Sequence, residues 1–240
     1  MPLRRAPGPG GAGGGASGGS GGGGGTAPPE PLPPRERDGA PPAFRAALAA
    51  LRAVAPRPDV VLAEAPAPQR LAPWAVALTA DLPAPGPAGE DGPEELATGR
   101  VVVLHDPAGQ EAWQGAFRVV TFLRADLDPE MVADPMLPEV GWDWLLEALQ
   151  ARGAEHVAAS GTVTRVVSES FGAMVERPAT AEVEIRASWT PVAGAGGEDA
   201  AAVGAALGAH LGAWCDLLRT AAGQPPLPDG VAALPARRRP

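Results

Sequence analysis

Apolar and polar positions along the chain change period several times, and each change predicts an element. Phe44, Ala47, Leu48 and Leu51 recur at helical spacing, which predicts a helix from about Pro42 to Val54, stopped by Pro56 and Pro58. Val60 to Leu62 reads as a short edge strand, and Trp74 to Leu82 alternates with Trp74, Val76 and Leu78 on one face. A loop rich in proline and glycine follows from Pro83 to Glu95. Arg100 to Leu104 and Phe117 to Arg124 then read as apolar strands, the second with Phe117, Val119, Thr121 and Leu123 on one side.

After these strands the period lengthens. Trp142, Leu145, Leu146 and Leu149 form a helical stripe while Asp143, Glu147 and Gln150 face away, and Gly153 stands where a left-handed helix end is wanted. Val157 to Phe171 returns to period two. Ala181 to Thr190 is the clearest strand: Val183, Ile185, Ala187 and Trp189 point one way, and Glu182, Glu184, Arg186 and Ser188 the other. Met174 to Pro178 joins these two strands as a hairpin. A last helix spans about Asp199 to Ala222, with Val203, Leu207, Leu211, Trp214 and Leu218 on one face.

Leaving the edge piece aside, the order is helix, three strands, helix, two strands, helix. Most links between strands are too short for parallel crossovers, so the expected fold is α+β: a largely antiparallel sheet of about five or six strands with three main helices. The same order occurs in secretion-chaperone-like adaptor folds, an analogy of topology alone.

Composition sets the limits of the fold. The chain has 240 residues, and 62 of them are glycine or proline. Residues 1–42 hold 24 of them, and so cannot bury enough apolar surface to offset chain entropy. That predicts a disordered leader over 1–42, one α+β domain over 43–223, and a tail rich in proline and arginine over 224–240. All 19 basic residues are arginine, against 28 acids, for a net charge of −9. An acidic domain repels phosphate backbones, so general nucleic-acid binding is not expected. Arg237, Arg238 and Arg239 form the one basic cluster.

Cys215 is the only cysteine, so no intrachain disulfide can form. Glycines stand where a signal peptide needs an apolar segment. The apolar run from Ala200 to Cys215 is too short and too weak to span a bilayer. A cytoplasmic protein without a membrane partner is expected.

Four stretches carry a resemblance: Ala67-Pro68-Gln69-Arg70-Leu71-Ala72-Pro73, His105-Asp106-Pro107-Ala108-Gly109-Gln110-Glu111-Ala112-Trp113, Leu137-Pro138-Glu139-Val140-Gly141-Trp142 and Ser160-Gly161-Thr162-Val163-Thr164. Together they resemble an actinobacterial family known only as a domain of unknown function. The resemblance covers roughly Phe44 to Leu234 and implies no activity, cofactor or catalytic residue.

The densest group of functional side chains is His105, Asp106, Gln110, Glu111 and Trp113, at a strand end and in the loop after it. General acid–base chemistry, or a metal held by His105, Asp106 and Glu111, is one reading; the other is a structural turn started by Asp106-Pro107 and closed by Gly109. His156 and His210 show no HxH or HExxH spacing with His105, so neither a metal nor another cofactor is expected. His210, between Leu207 and Trp214, reads as a hydrogen-bonded, half-buried residue, and Cys215 as an inert small hydrophobe. Gly204, Gly208 and Gly212 recur every fourth residue, which lets a helix lie close on a sheet or reflects codon bias. There is no GxSxG, no phosphate loop and no GxGxxG after a strand.

The strands also carry Arg100, Arg118, Arg124, Arg165 and Arg186. They form either a charge ladder with Glu182, Glu184 and Asp126, or a recognition surface for a peptide or acidic ligand. On the strand Val157 to Phe171, burying Val163, Val167 and Phe171 draws Arg165 and Glu169 toward a helix, so both are expected to pair at the sheet margin. Arg165, Glu169 and Arg186 are the candidate partner groove.

The expected function is a non-enzymatic binding or adaptor protein with a protein or peptide partner. The alternative is a small-molecule enzyme using the His105–Trp113 loop, which requires His105 and Asp106 to line one concave pocket with a further His or Glu. A third option, an accessory to an RNA-processing enzyme, has only the tail arginines in its favour.

Overall fold

The computed structural model describes residues 39–84, 95–177, 179–193 and 199–224. Most of the expected leader, most of the loop after Pro83, Pro178 and the C-terminal tail lie outside these residues. The elements run α1 (Pro42–Arg52), β1 (Val61–Ala65), β2 (Trp74–Pro83), β3 (Glu95–Gln110), β4 (Gly115–Asp126), α2 (Pro129–Ala133), α3 (Leu137–Ala151), β5 (His156–Ser168), β6 (Thr180–Pro191) and α4 (Ala200–Ala221). All six strands pair antiparallel in the order β1-β2-β3-β4-β6-β5. The fold is the α+β arrangement expected, with one extra short helix, α2.

Alternation decides which face is core. Val76, Val103, Val119 and Trp189 align across four strands, as do Ala97, Ala125 and Val183, and all are buried. The helices cover this face. α4 crosses the middle of the sheet, α1 packs on α4, and α3 packs on α4 and β5. Asp199 caps α4, its carboxylate accepting from the Ala201 amide at 3.0 Å.

Glycines set the close approaches. The Trp214 ring lies on Gly99, where a Cβ would meet Cζ2 at 2.8 Å. Trp142 of α3 rests on Gly161 of β5, where a Cβ would also collide with the Arg186 carbonyl oxygen. Gly204 and Gly208 face α1, not the sheet; a Cβ on Gly204 would run into the Ala43 carbonyl oxygen. The four-residue repeat therefore serves a helix–helix contact, a reading the periodicity did not single out. The third member, Gly212, lies under the Arg152 side chain, whose guanidinium holds Asp216 at 2.6 and 3.0 Å and so ties the end of α3 to α4.

Several boundaries moved. Ala40 is buried and Pro42 opens α1, so ordered packing begins ahead of residue 43. β3 reaches from Glu95 to Gln110, well past the Arg100–Leu104 run: Thr98 and Gly99 sit in the ladder despite the low strand preference of glycine, and beyond a register break after His105 the strand resumes pairing at Gln110. β5 ends at Ser168, and Phe171 lies beyond it, 73% exposed, with Val167 at 60%. Of the three apolar groups expected to be buried there, only Val163 packs on the core. The link to β6 is longer than the expected hairpin and holds a 3₁₀ turn at Gly172–Met174. Among the described residues α4 is long and apolar enough to cross a membrane, longer than the apolar run suggested, yet 61% of its most apolar window is buried inside the fold.

The Gly204 contact gives a prediction with an inverted sign. Glycine to alanine inside a helix ordinarily stabilises by about 1 kcal/mol. Here the added methyl meets backbone, which cannot rotate away, and overpacking costs roughly 1–3 kcal/mol. Gly204→Ala should lower the urea midpoint; an unchanged or raised midpoint would show that α1 does not rest on α4 at this point.

Candidate functional site

The His105 group does not assemble into a site. His105 sits within β3 rather than at its end, and its side chain turns into the core, 1% exposed. Its ring is stacked between Phe117 of β4, at 4.1 Å between centroids, and Phe44 of α1, at 6.0 Å. Nδ1–H donates to the Ala116 carbonyl at 3.0 Å, and burial lowers the imidazole pKa. Nε2 has no hydrogen-bond partner among the described residues. Asp106, the next residue along the strand, points to the opposite face. Its carboxylate accepts from the Ala108 amide at 3.0 Å and from the Gln110 side-chain amide at 3.1 Å, a local turn at the register break within β3 and ahead of the hairpin turn itself. Glu111 and Trp113 lie in the 3₁₀ turn that closes this hairpin, and the Trp113 carbonyl accepts from the Thr190 hydroxyl.

The other histidines stay apart from His105. His156 Nδ1–H donates to the Ala154 carbonyl at 3.1 Å. His210 of α4 is fully buried, more than the half-burial expected, and its Nδ1 accepts from Trp189 Nε1–H at 3.1 Å. Among the described residues no three His, Cys, Asp or Glu side chains gather as a metal site would need. Cys215 is buried, and loss of solvent pushes its thiol up to about 12.

The candidate groove residues are also divided. Arg165 is on the helix-covered face of β5, and its Nη1 donates to the carbonyls of Val132 and Asp134 at 3.2 and 3.0 Å. It closes the C-terminal end of α2 instead of pairing with a carboxylate, a favourable place for a cation. Glu169 lies past the end of β5. Arg186 stands on the opposite face of the sheet, its guanidinium 4.9 Å above the Phe122 ring and 2.7 Å from Glu184.

That opposite face is where functional side chains do collect. No helix lies on it among the described residues. Its rows read Arg100, Phe122, Arg186, Thr162 and Val102, Val120, Ser188, Ser160 across β3, β4, β6 and β5. Between them lies a depression of about 510 Å³. A break in register between Val157 and Ser160 sharpens the twist of β5 at this point, with Ala158 held at φ 52. Arg118 of β4 holds the bulge, its Nη1 donating to the Ala158 carbonyl at 2.9 Å and to Thr190 Oγ1 at 3.1 Å. Its Nη2 donates to Ser188 Oγ at 2.6 Å and to Ser160 Oγ at 3.3 Å. Burial lowers the Arg118 pKa. One expected cross-strand ladder pair is present, Arg124–Glu182 at 3.8 Å, while Arg186 pairs with Glu184 along its own strand.

The sequence named Arg118 among the strand arginines but not Ser160, Ser188 or Phe122 as its companions. The available signal was alternation: with Val119, Thr121 and Leu123 inward, Arg118, Val120 and Phe122 must share the outer face.

Buried histidines make stability depend on pH. Burial, reinforced by His156, lowers His210 to about 4, below its unfolded value, so folding favours the neutral ring. That contribution is complete above about pH 6.5 and is lost as pH falls toward 4. At about pH 5 the loss from His210 amounts to roughly 2 kcal/mol. The thermal midpoint should therefore fall between about pH 6.5 and pH 5, and His210→Gln should flatten the fall. An equally steep fall in the variant would place the acid sensitivity elsewhere.

No curated protein and no solved structure matches the chain. A family model does, over residues 40–232, a span that starts at buried Ala40 and takes in every strand and helix described above. By that match the chain belongs to the family described as Protein of unknown function (DUF3000).

Proposed function

We propose that the protein is a cytoplasmic, non-enzymatic binding protein that takes a small ligand on the open face of its sheet. The observation that carries this reading is the depression of about 510 Å³ over β3, β4, β6 and β5. It falls within the size range of small-molecule sites, and its lining combines apolar side chains with a few hydroxyls and guanidinium groups. The enzyme alternative has less support, because the one imidazole in its loop, His105, is sealed between two phenylalanines. The RNA-accessory option rests on arginines outside the described residues and gains nothing from the folded part.

Val120 is the test position. It lies in the floor of the depression, is 37% exposed, and does not contribute to the core on the helix side. Protein purified gently from its host should release a small organic compound on denaturation, detected by mass spectrometry, and Val120→Asp should release little of it while keeping the parent thermal midpoint. Equal release from both proteins would put the ligand elsewhere. Release of nothing, together with a larger species in gel filtration that Val120→Asp abolishes, would favour a protein or peptide occupant.

A further inference from the structure

We infer that the ligand of the open face is an apolar monocarboxylate, with its head group on the hydroxyls of Ser160 and Ser188 above the guanidinium of Arg118. This rests on the preceding reading that the face takes a small ligand, and adds the chemistry of that ligand.

The starting point is a charge without a counter-charge. Arg118 is 9% exposed, and among the described residues no carboxylate lies within ion-pair distance of it. Arg124, Arg152, Arg186 and Arg219 each have an Asp or Glu partner. Arg100 and Arg165 donate to backbone carbonyls, but both stay exposed to water. Arg118 is thus a buried cation whose Nη1 and Nη2 groups are hydrogen-bonded but whose charge is not balanced, and a buried charge of this kind is costly until an anion approaches.

Its partners relay that charge toward the depression. Ser160 and Ser188 use oxygen lone pairs to accept from Nη2, so neither can give its proton back to the guanidinium. The two oxygens are 3.4 Å apart, so one proton can be spent between them and at least one remains to donate outward. A hydroxyl that accepts from a cation is a stronger donor than a free one. Two adjacent hydroxyls of this kind offer a carboxylate a hydrogen bond for each oxygen.

The remaining side chains select for one negative charge and an apolar body. Arg186 is already neutralised by Glu184, and that carboxylate repels a second negative charge on the ligand. Arg100, at the far end of the depression, gives its guanidinium to the Pro66 carbonyl, which leaves Arg118 as the cation next to the hydroxyls. Beside the hydroxyls, Val102, Val120 and Phe122 form a floor with no hydrogen-bonding side chain of its own. An alkyl or aryl group laid there is removed from water while its carboxylate reaches Ser160 and Ser188.

The test is calorimetric titration of the full chain with octanoate and with octanol, which share an apolar body and differ in the head group. Octanoate should bind more tightly than octanol by about tenfold or more, the usual worth of charge-assisted hydrogen bonds. In the double variant Ser160→Ala, Ser188→Ala octanoate should weaken by about tenfold while octanol is unchanged. Circular dichroism of the variant should match the parent, while its thermal midpoint should fall because Arg118 Nη2 loses both acceptors, so binding is compared well below that midpoint. Octanoate and octanol binding equally, or the double variant holding octanoate as the parent does, would overturn the carboxylate assignment. If Val120→Asp still abolished that binding, the small-ligand reading would survive without it. If neither probe bound the parent, the inference would fall, and the release experiment would decide the broader reading independently.

Discussion

α4 can lie flat across the sheet only because Gly99 leaves room for the Trp214 ring and Gly204 and Gly208 leave room for α1. The rest of the architecture follows from that seat. With α4 in the middle, α1 and α3 fill the space beside it, and one face of the six strands becomes the core. Trp189 and His210 lock the same contact from the sheet side, with the indole N–H donating to the imidazole. The neutral ring this bond requires is also what makes the domain sensitive to acid.

A sheet covered on one face must satisfy the side chains of the other face without helices. Most of the open face does so by pairing, as in Thr98 with Asp81 at 2.6 Å and Arg186 with Glu184. Arg118 is different. It is buried because it holds the Ala158 bulge, and the bulge is what bends β5 into the wall of the depression. One side chain therefore shapes the cavity and leaves a positive charge unbalanced beside it. Fold and proposed function meet at that residue.

Much of this was legible in the sequence. Strict alternation over Ala181–Thr190 identified β6 and its inward face residue by residue, since every second side chain is buried. The stripe of α3 and the glycine after it were equally plain, with Gly153 at φ 60. α2 was missed because five residues cannot show a helical period, and β3 was cut short because Gly99 on one side and Asp106, Pro107 and Gly109 on the other hide a strand that tertiary pairing enforces. The His105 group misled for another reason. Alternation alone sends His105 and Asp106 to opposite faces, but Phe44 arrives from a distant helix, and nothing local announces it. Arg165 was expected to need a carboxylate; it found the carbonyls at the end of the helix that had been overlooked.

The central claim is that Arg118 is charged, buried and able to sense an anion bound on the open face. Nitrogen NMR of the guanidinium groups reads this directly. Besides the signals of buried Arg219, the free protein should show slowly exchanging, well-resolved Nη–H signals, absent in Arg118→Gln, that move on addition of octanoate and do not move with octanol. Signals from Arg118 that exchange as fast as those of exposed arginines, or that stay in place when octanoate binds, would contradict it.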